Sequence, residues 1–139
     1  MSFKIIILLI SKYNILYVKE MEEIIISVFE RFYDKDVIVQ KTFEIETKLY
    51  DKIEFLSENI YDASISKLIN ACIDDLVKTE DIKLYPKDGT ELYLKHSLLL
   101  RRYSLDNLEN LKTKYDISVY KLINIAIHRA LDEMDNEQK

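Results

Sequence analysis

Residues 61–70 read YDASISKLIN and residues 115–124 read YDISVYKLIN, seven of ten positions identical at a spacing of 54. Neither stretch is low in complexity, so the chain carries one unit twice, and its fold must accommodate two copies. The match extends upstream if the first copy holds one extra residue near Asn59 or Ile60. Leu49, Tyr50, Ile53, Phe55 and Leu56 then align with Ser104, Leu105, Leu108, Asn110 and Leu111. Leu105, Leu108, Leu111 and Tyr115 keep an apolar row on one helical face. Downstream, Leu122, Ile123, Ala126, Ile127 and Ala130 fall at helical spacing, as do Leu68, Ile69, Cys72, Ile73 and Leu76. Each copy is expected to hold two short amphipathic helices, over 49–60 and 65–78, then 104–114 and 119–132. Ser64 and Ser118 precede the second helix of each pair, where a hydroxyl accepts from orphan backbone amides as an N-cap.

The residues before each helix pair have a different rhythm. IVQKTFEIE at 38–46 and LYLKHSLLLRR at 92–102 alternate with a period of two, Phe43 and Ile45 in one and Leu98 and Leu100 in the other. Each unit therefore reads strand, helix, turn, helix. The organisation expected is an N-terminal arm at 1–36, unit one at 37–78, a linker at 79–91, unit two at 92–132 and an acidic tail at 133–139. The linker holds the only proline, Pro86, and the only glycine, Gly89. In the arm, FKIIILLI at 3–10 and ILYV at 15–18 read as strand-like segments joined by a turn, with a buried helix as the alternative. Met21, Ile24, Ile25, Val28, Phe29 and Phe32 form the apolar face of a helix over 20–33. The arm serves either to cover the core or as an oligomerisation element.

The strand–helix–helix order, with KHSLLLRR as a ribbon, SLDNLENLKTKY as a first helix and DISVYKLINIAI as a turn and second helix, resembles the ribbon–helix–helix family of the MetJ, Arc and CopG type. The resemblance covers residues 37–132 and occurs twice in register; in carrying two copies the chain is similar in kind to tandem regulators of archaeal viruses. It implies an α+β fold, mainly helical with short strands, in which two tandem units form an intramolecular pseudo-dimer beside the N-terminal arm. It also implies sequence-specific binding of double-stranded DNA by a transcriptional regulator whose two-stranded antiparallel ribbon enters the major groove. The outward ribbon positions that would read bases are Gln40, Thr42, Glu44, Lys95, Ser97 and Leu99, with Phe43, Ile45, Leu98 and Leu100 facing the core. Phosphate contacts fall on Ser64, Ser66, Ser118 and Lys121 around the second helices, and on Arg101 and Arg102. Asp62 and Asp116 stand where the family usually has glycine at a turn position that often needs positive φ, which Asp tolerates. If Thr42 faces Ser97, antiparallel pairing sets Glu44 across from Lys95, a favourable opposite-charge pair that favours pairing within one chain.

Charge tempers this expectation. With 20 Lys and Arg against 25 Asp and Glu, the chain carries a net −5, which points to few phosphate contacts and weak non-specific binding. Residues 92–121 nonetheless come to +3 and residues 37–78 to −3. A protein–protein interaction module, or an antitoxin or plasmid-partition adaptor on the same fold, is the alternative. The partners expected are double-stranded DNA and a second copy of the chain, as a homodimer or higher homo-oligomer through the arm.

Enzymatic readings find little support. Cys72 lies on an apolar helix face, as a small inert core residue does, and one cysteine fits a reducing cytoplasm. His96 is expected inward or at the ribbon's end, and His128, with Asp132 four residues on, as one of a helix-surface pair. Two separated histidines make no metal constellation, no glycine-rich phosphate loop exists, and no cofactor is implied. Neither apolar run of the arm reaches the about 20 residues needed to span a membrane, so a cytoplasmic protein without membrane partners is expected.

Overall fold

The computed structural model describes residues 37–137, which lie within one compact unit. The strand-like segments, helix and oligomerisation role expected of the arm fall outside the described residues. The elements run β1 (Ile38–Glu46), α1 (Thr47–Asn59), α2 (Ile65–Thr79), β2 (Tyr93–Arg101), α3 (Arg102–Tyr115) and α4 (Val119–Glu137). This is an α+β arrangement in which β1 and β2 pair antiparallel into a two-stranded sheet.

The register sets Thr42 opposite Ser97, Glu44 opposite Lys95 and Gln40 opposite Leu99. Period-two alternation then divides the faces. Ile45, Leu98 and Leu100 are buried and Phe43 is half-buried against the core. Gln40, Thr42, Glu44, Lys95, Ser97 and Leu99 are all exposed. Beneath the inner face, Ile69, Ile73 and Leu76 of α2 meet Leu122, Ile123 and Ile127 of α4 in a single core. Leu49, Ile53 and Leu56 of α1 and Leu105, Leu108 and Leu111 of α3 close its flanks. Ser104, aligned with Leu49, is fully buried as well.

Both first helices start two residues earlier than the pattern of apolar residues indicates. Neither has a side-chain cap: Glu46 and Arg101 occupy the N-cap positions without capping bonds. The leading amides are satisfied instead by the opposite strand, Thr47 N–H donating to the Leu92 carbonyl at 2.8 Å and Arg102 N–H to the Val37 carbonyl at 2.9 Å. Each strand thus passes into its helix without a loop. The two turns between helices also differ. Asp116 adopts the left-handed conformation expected of it, φ 54°. Asp62 does not: α1 ends at Ile60 in the right-handed region, with Ile60 and Tyr61 amides both donating to the Leu56 carbonyl. The extra residue of the first copy takes up the reversal that Asp116 accomplishes alone in the second.

The linker is folded onto the core. Ile82 and Tyr85 pack against it, and α2 stops at Glu80 in the left-handed region, φ 49°. Gly89, φ 86°, turns the chain where its own amide and that of Asp88 donate to the Glu91 carboxylate. The acidic tail is mostly helical, because Leu131 and Met134 continue the apolar row of α4 to the core as far as Glu137. Among the described residues no helix is long and apolar enough to cross a membrane.

Candidate nucleic-acid interface

The outer face of the ribbon presents two exposed rows. Ile38, Gln40, Thr42 and Glu44 come from β1, and Lys95, Ser97 and Leu99 from β2. At the centre the Thr42 and Ser97 hydroxyls hydrogen-bond at 3.1 Å. Glu44 and Lys95 face one another, yet among the described residues neither is in an ion pair.

Two buried amides hold this ribbon to the helices. Asn124 of α4 accepts from Glu46 N–H at 2.9 Å and donates to the Glu44 carbonyl at 3.0 Å and the Tyr120 carbonyl at 2.7 Å. Asn70 of α2 accepts from Arg101 N–H at 3.1 Å and donates to the Leu99 carbonyl at 2.9 Å and the Ser66 carbonyl at 2.8 Å. Each asparagine is the last residue of the repeated decapeptide, and each grips the strand of the other copy. The sequence reading missed both. The signal was present, a polar residue kept in both copies at a position facing the core.

The residues expected at phosphates divide into two groups. Ser64 caps α2 by accepting from Lys67 N–H at 3.1 Å, whereas Ser118 makes no such bond and its hydroxyl is buried without a partner among the described residues. Ser66 is already engaged, its oxygen accepting from Leu99 N–H at 3.0 Å. Arg101 is not a free cation either. It is half-buried and pairs with Asp74 at 3.3 Å, and Asp74 also accepts from the Ser104 hydroxyl at 3.0 Å. Arg102 and Lys121 are exposed and form no ion pair among the described residues, and Lys67 stands in α2 where Lys121 stands in α4.

At the other end of the ribbon Glu46 takes the place that Arg101 holds in copy two. It is buried, and its carboxylate accepts from the Tyr85 hydroxyl at 2.9 Å, while the Tyr85 ring stacks on His128 at 4.1 Å. Burial and the Glu46 carboxylate hold the Tyr85 hydroxyl far above its usual pKa. His128 therefore packs on the linker, and no ion pair to Asp132 forms. His96 does face inward, half-buried and stacked on Tyr50 at 3.5 Å. Burial and the nearby charge of Asp75 push the Cys72 thiol up to about 11. No group of three or more His, Cys, Asp or Glu among the described residues is placed to hold a metal.

No protein-family model matches this chain, and neither a curated protein nor a solved structure is significantly similar to it.

Proposed function

We propose that this chain is a sequence-specific double-stranded DNA-binding regulator of transcription, built as two ribbon–helix–helix units in one polypeptide. The observation that carries this reading is the ribbon itself. A two-stranded antiparallel ribbon is narrow enough for the major groove, about 12 Å wide. Here its outer face is free of covering elements among the described residues and carries donors, acceptors and two aliphatic side chains in register. The inner face is fixed by apolar burial and by the two asparagine clasps, so the readers stand on a rigid base. Lys67 and Lys121 near the N-termini of α2 and α4, with Arg102 opening α3, supply cations for flanking phosphates.

The test is DNase footprinting of the full chain on a genomic duplex library at two salt concentrations. Protection of short, defined sites that survives the higher salt supports the reading. A chain that retards no duplex even in dilute buffer refutes it.

A second reading, a protein-interaction or adaptor module, draws on the net −5 charge and on an apolar groove lined by Phe55, Leu56, Ile60, Leu131 and Met134. Phe55 and Ile60 are more than half exposed there. Absence of any footprint, together with loss of a protein complex on Phe55→Glu, would favour it over DNA binding.

A further inference from the structure

The scaffold of the ribbon is symmetric and its outer face is not. A pseudo-dyad passes between Thr42 and Ser97, which are opposite one another and equivalent in the two copies. Around it the supporting features recur in kind: Phe43 with Leu98, Ile45 with Leu100, the Asn70 clasp with the Asn124 clasp, and the amide bonds at Thr47 and Arg102. The outer positions depart from this pattern. Gln40 is equivalent to Lys95, and Glu44 to Leu99, so the dyad relates side chains of different chemistry. Because the strands are antiparallel, one end of the ribbon carries Gln40 facing Leu99, with exposed Ile38 just beyond, and the other carries Glu44 facing Lys95.

These two pairs have different complements among the base edges of the major groove. A glutamine amide matches the N7 acceptor and N6 donor of adenine, and an aliphatic side chain packs on the thymine methyl. A lysine matches the O6 and N7 acceptors of guanine, and a carboxylate accepts from the N4 amino group of cytosine. Reversing the assignment sets Glu44 and Lys95 over an A·T pair, whose adenine N7 and thymine O4 acceptors repel the carboxylate, and leaves the polar edges of a G·C pair facing Leu99. Resting on the DNA-binding reading above, we infer that one chain reads a directional half-site, with an A·T pair beneath Gln40 and Leu99 and a G·C pair beneath Glu44 and Lys95. Gln40 and Glu44 lie four residues apart, about 14 Å along a strand. At roughly 3.4 Å per nucleotide the two base pairs are about four steps apart. The chain therefore seats in one orientation on a site lacking two-fold symmetry.

The test is selection from a randomised duplex library with the full chain and with the double variant Gln40→Lys, Leu99→Glu. That exchange makes both ends of the ribbon alike and leaves net charge unchanged, and all the altered side chains are exposed. The native chain is expected to enrich a motif with A·T at one end and G·C at the other, each correct end contributing about 5- to 150-fold in affinity. The double variant is expected to enrich G·C at both ends in two-fold symmetry. Lys95→Gln, a single exposed change, should lose preference at the G·C end alone, which keeps the test decisive should the double variant not fold. A symmetric motif from the native chain, or the same motif from the native chain and Lys95→Gln, overturns the inference while leaving DNA binding intact. No enrichment of any duplex by the native chain overturns the DNA-binding reading, and this inference with it.

Discussion

Single side chains carry the ribbon, and the two asparagines are the clearest case. Asn124→Ala removes three hydrogen bonds and leaves the buried Glu46 N–H without a partner. The expected cost is about 2–4 kcal/mol in urea denaturation, whereas Gln40→Ala on the outer face should stay within about 0.5 kcal/mol. Asn124→Asp keeps the acceptor for Glu46 N–H but sets a carboxylate against two carbonyl oxygens, so it should be at least as damaging at neutral pH. A loss under about 1 kcal/mol for both variants would show that the clasp does not secure the strand. Among the proposed base-reading residues, Lys95→Ala and Ser97→Ala should each lower preference for the target over random duplex, Lys95→Ala by about the 5- to 150-fold that one end supplies, without lowering stability, as competition binding and thermal melting would report. Cys72 makes a separate prediction. With its thiol held near pKa 11 and buried, native protein at pH 8 should be alkylated about 100-fold or more slowly than unfolded protein; equal rates with iodoacetamide would contradict its place in the core. The outward positions of the ribbon were legible in the sequence because strand alternation and one register assumption suffice to list them. The asparagines were not, because a polar residue on an apolar face reveals its partners only once the other copy's strand lies across it.

At the level of elements, what the sequence displayed well was periodicity, and what it concealed was satisfaction of backbone groups at a distance. The strand segments and the second helices follow from alternation and from the spacing of Ile69, Ile73 and Leu76 or Leu122, Ile123 and Ile127. The starts of α1 and α3 do not, since Leu92 and Val37 carbonyls far along the chain replace a local cap. The linker was concealed for a related reason: Tyr85 reaches Glu46 and His128 only after the ribbon has formed. The end of α4 was readable in Leu131 and Met134, but the surrounding acidic residues masked it. One tie between elements has a definite pH dependence. Glu80, at the end of α2, accepts from Lys114 at 2.7 Å and from the Tyr115 hydroxyl at 2.9 Å, both at the end of α3. Those bonds hold the Glu80 carboxyl below its ordinary pKa, the Lys114 hydrogen bond foremost. A carboxylate with a depressed folded-state pKa contributes stability that is fully present above the unfolded value, near 4.5, and is lost as pH falls through the lower folded value. Thermal melts of the native chain and Glu80→Gln should therefore differ at pH 7 and converge only once the pH has fallen below the lowered folded-state pKa of Glu80. A difference that persists unchanged into acid would mean the carboxylate charge is not what joins these helix ends.

Over the whole molecule, the balance of charge decides how a proposed DNA-binding protein with net −5 would behave. Repulsion between the acidic surface and the duplex opposes loose, sequence-independent association, so binding must depend on the base contacts of the ribbon and on a few well-placed cations. Arg101 is not among those cations, because Asp74 already neutralises it. Arg102, Lys67 and Lys121 are exposed, and among the described residues they form no ion pair. With about three phosphates neutralised per chain, log affinity against log salt should fall with a slope of about −3. Arg102→Ala is expected to flatten that slope by about one and weaken all sequences alike. Arg101→Ala should leave the slope unchanged and instead lower stability by no more than about 1 kcal/mol, as fits a half-exposed pair. The two arginines are adjacent in sequence, so the contrast isolates their surroundings rather than their position along the chain. If Arg101→Ala flattened the slope and Arg102→Ala did not, the ion pair with Asp74 would have to open on DNA, and the strand end of β2 rather than the start of α3 would meet the phosphate.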